Sequence, residues 1–197
     1  MPNGSEPYAL DFHQGNETNE WYALNWTIFY PSVRNLVYFG HGSPSGIGYN
    51  QSNTNVSLTV TQITNILHTL PVGQTNKHSF RFVFLDGCST AKGTLPEAFG
   101  ILHKQSVPLW EYTAASMRPS VFCGWSSDKA AGFVISGAVN YDHINFITAI
   151  QTDMLLNGAT IGDAYNYACS QPDVVTILTS QFMIYGCPDI TFGAFNN

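Results

Sequence analysis

Two short stretches of this sequence pair a reactive side chain with a glycine-rich backbone: Gly40-His41-Gly42 in "LVYFGHGS" and Asp86-Gly87-Cys88 in "FVFLDGCS". Imidazole and thiol together make a dyad, in which the thiolate attacks a carbonyl carbon and the imidazole moves the protons. A glycine after the histidine lets a substrate approach the main chain. The amides of Gly42 and Cys88 then supply two donors to the carbonyl oxygen as its charge develops, an oxyanion hole. Each residue alone has a plainer reading. A lone cysteine is usually an inert core residue and a lone histidine between glycines is a loop residue, so the case rests on the pairing. Asp86 invites a catalytic role, but a carboxylate beside the sulfur opposes thiolate formation, and Asp-Gly is a turn pair; Asp86 is read as a turn residue.

The elements that must position these groups follow from hydrophobic pattern. "NLVYF" is a continuous apolar run closed by Gly40, as expected of a strand buried on both faces, and "FRFVFL" and "SVFCGW" read the same way. "LTVTQITNILHTL" has apolar residues at helical spacing and is stopped by Pro71 and Gly73. Helices are also expected through "TLPEAFGILHK", "HINFITAIQTDMLL" and "TIGDAYNYAC", the last two separated by the C-cap signal Asn157-Gly158, and "QFMIY" gives a late strand. Residues 1–34 are harder to parse: "YALDF" suggests a short strand and "NEWYALNWTIF" a helix. Strands alternating with helices imply βαβ units, so the expected fold class is α/β: a three-layer α/β/α sandwich with a mostly parallel sheet. In such sheets the functional crevice lies outside the carboxyl ends of the strands. His41 and Cys88 each follow a strand, so consecutive neighbouring strands would bring them within side-chain reach at one sheet edge.

Length and composition bound the rest. At 197 residues, with no repeat or charge run dividing it, the chain is expected to form one domain, with its core over residues 35–192. Only 10% of residues are charged, against about 25% in ordinary proteins. The net charge of -6 and seven scattered basic residues argue against nucleic-acid or anionic-membrane partners. No run reaches the roughly 18 apolar residues of a membrane span, and the first residues lack a signal-peptide pattern, so the chain is expected to be soluble. The sequons at Asn16, Asn25 and Asn55 suit an exported protein, and a domain cut from a longer precursor would look the same. Cys88, Cys123, Cys169 and Cys187 show no spacing of a zinc site, and no metal is expected. Cys123 reads as core filling; Cys169 and Cys187 read as two buried thiols rather than a disulfide. His13, His68, His78, His103 and His143 have no partners in sequence and read as surface or helix-face residues. Trp125 and Tyr185 read as core or cleft-wall aromatics. "GHGSPSG" has the look of the oxyanion loop of α/β-hydrolases, yet no G-x-S-x-G elbow accompanies it, which speaks against an esterase.

An apolar block ending in His-Gly, followed by a second ending in a small residue and Cys, resembles the pattern of the caspase-like peptidases of clan CD. Here the two lie 47 positions apart (88 − 41); caspases use about 50. "FCGWSSDKAAG" resembles the segment after the third core strand of separase and CHAT domains, and "MIYGCPDITF" resembles the closing "YGDP" strand of gingipain-like domains, with Cys187 where that family has Asp. The resemblance spans roughly residues 35 to 192, with less chain before the His strand than the family normally has. It implies a caspase-like (caspase-haemoglobinase) fold and hydrolysis of a peptide or protein substrate through a thioester, without cofactor. Cys88 would be the nucleophile, His41 the proton carrier, and the amides of Gly42 and Cys88 the oxyanion donors. It further implies that Trp125 and Asp128 line the first substrate pocket and that Asp128 selects Arg or Lys, since a buried carboxylate pairs with guanidinium in a bidentate way. The competing expectation is a non-catalytic caspase-like module that serves as a binding or scaffolding domain.

Overall fold

The computed structural model describes residues 24, 34–48, 58–68, 80–101, 119–127, 134–135, 138–174 and 179–192. Four strands form the main sheet: β1 (Asn35–Phe39), β5 (Phe82–Asp86), β6 (Val121–Trp125) and β9 (Phe182–Gly186), in the order β1-β5-β6-β9. The first three are parallel, as their apolar runs predict, and β9 runs antiparallel to β6, from Phe182 opposite Trp125 to Gly186 opposite Val121. Every residue of β5 and β6 is buried. This is why both read as continuous apolar runs rather than as alternations.

Strand parity sorts the side chains into two cores. Val83, Leu85, Phe122 and Tyr185 pack on one face with helices α1 (Val60–His68) and α2 (Leu95–Ala98). Phe82, Phe84, Cys123, Trp125 and Phe182 pack on the other with α3 (Tyr141–Leu156) and α4 (Ile161–Cys169). The result is a sheet between two helical layers, the expected α/β class. α3 is capped by Asn140, whose side chain accepts from the amide of His143 at 3.2 Å, and α4 by Thr160, whose hydroxyl accepts from the amide of Asp163 at 3.1 Å. Asn157 closes α3 and Gly158 follows at φ 67°, as the Asn-Gly pair predicts.

Two small antiparallel units are separate from the main sheet, and Ile47 and Leu58 of the first pack into the α1/α2 core. β2 (Gly42–Ser43), β3 (Gly46–Ile47) and β4 (Leu58–Thr59) make a three-stranded sheet directly after His41, and β7 (Val134–Ile135) pairs with β8 (Ala138–Val139). The helix expected from residue 94 is helical only over its first turn among the described residues. Of the expected N-terminal elements only Leu24 is described; it is helical and buried. No described helix is long and apolar enough to cross a membrane.

Candidate functional site

β1 and β5 pair in register to their last residues, Phe39 opposite Asp86, and the Gly40 amide adds one more bond to the Asp86 carbonyl at 3.1 Å. The two chains then turn out of the sheet side by side. A Cβ on Gly87 would stand 2.8 Å from the Gly40 oxygen and 3.1 Å from the Gly42 nitrogen, and one on Gly42 would meet the Cys88 oxygen at 3.0 Å. The His-Gly and Gly-Cys segments therefore touch backbone to backbone, a contact only glycine on both sides permits. His41 is exposed and Cys88 is half-buried, on the α3/α4 side of the sheet. The main chain at His41 is pinned: its carbonyl accepts from the Tyr38 hydroxyl at 2.8 Å and from the Gly48 amide at 2.9 Å.

The turn that bears Cys88 is built differently. The β5–β6 ladder runs from Phe82–Val121 only to Phe84–Cys123, so the two strands part before their carboxyl ends. Residues 88–91 fill that opening: the Ser89 amide donates to the Ser127 carbonyl at 3.1 Å and the Ala91 amide to the Trp125 carbonyl at 2.9 Å. Thr90, fully buried, ties the pieces together. Its hydroxyl lies 3.1 Å from the Leu85 carbonyl and 3.0 Å from that of Gly87, and accepts from the Trp125 amide at 3.2 Å. Its methyl fills the space above Gly42 and its hydroxyl the space above Gly124. Ser89 holds φ at 55°, the one non-glycine residue with positive φ among those described, immediately after the cysteine.

Asp86 is not the turn residue the Asp-Gly pair suggests. It ends β5, is 3% exposed, and points by parity with Phe82 and Phe84 into the α3/α4 core. There a carboxylate needs donors. Trp125 Nε1 donates to Oδ1 at 2.7 Å, and His143 Nε2 lies 3.0 Å from Oδ2. An ionised carboxylate only accepts, which assigns the proton to Nε2 of His143. His143 is fully buried, with its ring centroid 5.0 Å from that of Trp125, so the surface or helix-face reading of this histidine is corrected. Trp125, expected beside the substrate pocket, has no exposed surface and belongs to the core. Asp128 lies outside the described residues, as do His13, His78 and His103. His68 does sit on a helix face, half-buried, with Nε2 3.1 Å from the Ala98 carbonyl.

The remaining thiols behave as packing. Cys123 is fully buried, and burial pushes its pKa far up. Burial also raises Cys169 and Cys187, which are both unbridged; Cys187 is buried as expected, whereas Cys169, at the end of α4, is only half-buried. Tyr165, beside Cys169, is raised by burial to about 12. Sequence reasoning missed Thr90 and His143. The signal for His143 was available: it falls in the stripe His143, Phe146, Ile147, Ile150, Met154 that α3 buries, and a histidine in a buried stripe calls for a polar partner. Comparison with family models, with curated proteins and with solved structures finds no match for this chain.

Proposed function

We propose that this chain is a cysteine endopeptidase with a caspase-like arrangement of its layers, using His41 and Cys88 as a dyad and cleaving after Arg or Lys. The observation that carries the reading is the backbone contact between Gly40–Gly42 and Gly87–Cys88 at the carboxyl ends of two register-matched parallel strands. It puts an exposed imidazole and a half-buried thiol on adjoining turns at the sheet edge where α/β proteins hold their ligands.

In this mechanism the Cys88 thiolate attacks the scissile carbonyl carbon, and the carbonyl oxygen takes the negative charge between the amides of Gly42 and Cys88. Collapse breaks the C–N bond. His41 gives its proton to the leaving amine, and the acyl group stays on sulfur as a thioester. Water then attacks the thioester, His41 takes its proton, and the carboxylic acid leaves with the thiolate restored. Preference for a basic residue before the cleaved bond rests on Asp128 by resemblance. Asp86 does not serve that purpose, because both its oxygens are engaged by Trp125 and His143.

The test is turnover of short fluorogenic peptides ending in Arg, Lys, Asp or Asn by the intact protein, beside Cys88→Ala and His41→Ala. Arg and Lys reporters are expected to be cleaved, with loss in both variants, and Asp128→Ala is expected to weaken them selectively. Silence on every reporter, with Cys88 alkylated no faster than an ordinary thiol, would overturn the peptidase reading and leave the binding module.

A further inference from the structure

We infer that Asp86 and His143 act as a positioning pair for Cys88: a side-chain clamp that fixes the cysteine-bearing turn on the side where the β5–β6 ladder has stopped. The inference rests on Cys88 being the reactive group of the site. The ladder between β5 and β6 stops at Phe84–Cys123, two residues short of the end of β5. Across the opening the Asp86 carboxylate reaches both to Trp125 on β6, at 2.7 Å, and to His143 in the first turn of α3, at 3.0 Å. Three elements far apart in sequence thus converge on the residue two positions before the sulfur. Cys88 itself packs against the same apolar cluster that surrounds Trp125.

Stability alone does not account for this arrangement. A buried carboxylate–imidazole pair is costly to desolvate, and well-packed apolar residues would hold the layers at least as well. What such a pair adds is direction. Each oxygen has its own partner at hydrogen-bond distance, one on β6 and one on α3, so the end of β5 is referenced to both, and Gly87 and Cys88 inherit that position. Trp125 is itself held by Phe146 and Phe182 at 5.9 and 5.3 Å between centroids, so the clamp is anchored in rigid aromatic packing. Neither Asp86 nor His143, at 3% and 0% exposure, can touch a substrate. Their effect is on where the sulfur stands.

The experiment compares His143→Gln, His143→Asn, Asp86→Asn and the double variant Asp86→Asn/His143→Asn in the intact chain, using the Arg reporter and the rate of Cys88 alkylation by iodoacetamide read by mass spectrometry. Gln places an amide N–H where His143 Nε2 stands; Asn, one carbon shorter, does not reach. His143→Asn is expected to lower kcat about 10- to 100-fold with KM within about 3-fold, as a misplaced nucleophile does. His143→Gln is expected to restore most of it. The double variant is expected to lose no more than the larger single loss, because the two residues act as a unit. Equal behaviour of Gln and Asn in folded protein, or losses that multiply in the double variant, overturns the inference. If the wild type cleaves no reporter, the same comparisons read on Cys88 alkylation still decide the clamp, so its failure is distinct from failure of the peptidase reading.

Discussion

Gly87→Ala tests the feature on which the site depends, the contact between the two strand ends. Gly87 does not occupy the left-handed region, so alanine is conformationally permitted and the perturbation is steric alone. The added methyl would stand 2.8 Å from the Gly40 oxygen, 3.1 Å from the Gly42 nitrogen and 3.2 Å from the Gly42 Cα. All three neighbours are main chain, so no side chain can swing aside. To reach ordinary contact the turns must separate by about 0.5 Å, and overpacking of this kind costs about 1–3 kcal/mol. The separation falls between His41 and Cys88. Reporter turnover is therefore expected to drop about 10- to 100-fold, more than the stability loss explains at temperatures where the variant stays folded. Urea unfolding measures the first quantity and initial rates with the Arg reporter the second. Gly158→Ala is the control: its φ of 67° costs alanine about 1 kcal/mol, but its Cβ would meet nothing within 4 Å and it lies at the far end of α3, so turnover should hold. Unchanged midpoint and unchanged turnover in Gly87→Ala would refute the backbone contact between the two strand ends.

Thr90→Val keeps the shape but deletes the hydroxyl that joins Leu85, Gly87 and Trp125; leaving buried main-chain groups unpaired should cost about 1–3 kcal/mol in urea unfolding. At Ser89, where φ is 55°, a β-branched valine should lower Tm while glycine leaves it unchanged or raises it slightly. Cys123, Cys169 and Cys187 all have folded-state pKa values raised above 9.0 by burial. Raised acids contribute stability that is complete below the unfolded value and is lost as pH rises from it through the higher folded value, so unfolding free energy should decline from about pH 9 upward, and Cys123→Ala should flatten that decline. Thiol labelling of the native protein should modify Cys88 first and Cys123 only on unfolding.

β5 and β6 were legible because a doubly buried strand needs an uninterrupted apolar run and both supply one; β1 reads the same way but is the edge strand, with Leu36 and Tyr38 buried and Phe39 42% exposed, so its expected burial on both faces is not met. The sense of β9 was not legible, since an apolar run reads alike in both directions. Its direction follows from the connection. α3 begins beside Asp86 at the carboxyl end of the sheet, whereas α4 begins where the Ile161 amide bonds the Ile190 carbonyl, past the opposite end of β9. A pair of helices on one face returns the chain to the end it left, and β9 must then run backwards. The short strands β2, β3, β4, β7 and β8 have two residues each, too few for any period to register.

Asp86 shows why the site was only half legible. Locally Asp-Gly reads as a turn, because those two residues do favour turns and nothing nearby says otherwise. Parity says otherwise once β5 is known to continue to its end: Phe82 and Phe84 face the α3/α4 layer, so Asp86 faces it too, and a carboxylate there must find donors or not be ionised. The helical stripe of α3 separately places His143 in the same layer. Neither residue is informative alone, and 57 positions separate them. Their partnership is a consequence of the parallel sheet, in which the end of β5 and the start of α3 meet at one edge. On the β1 side the ladder holds β5 to Asp86, but the β5–β6 ladder stops at Phe84, and there the turn that carries Cys88 is held by the main-chain bonds of Ser89 and Ala91, by Thr90, and by the Asp86 contacts to Trp125 and His143.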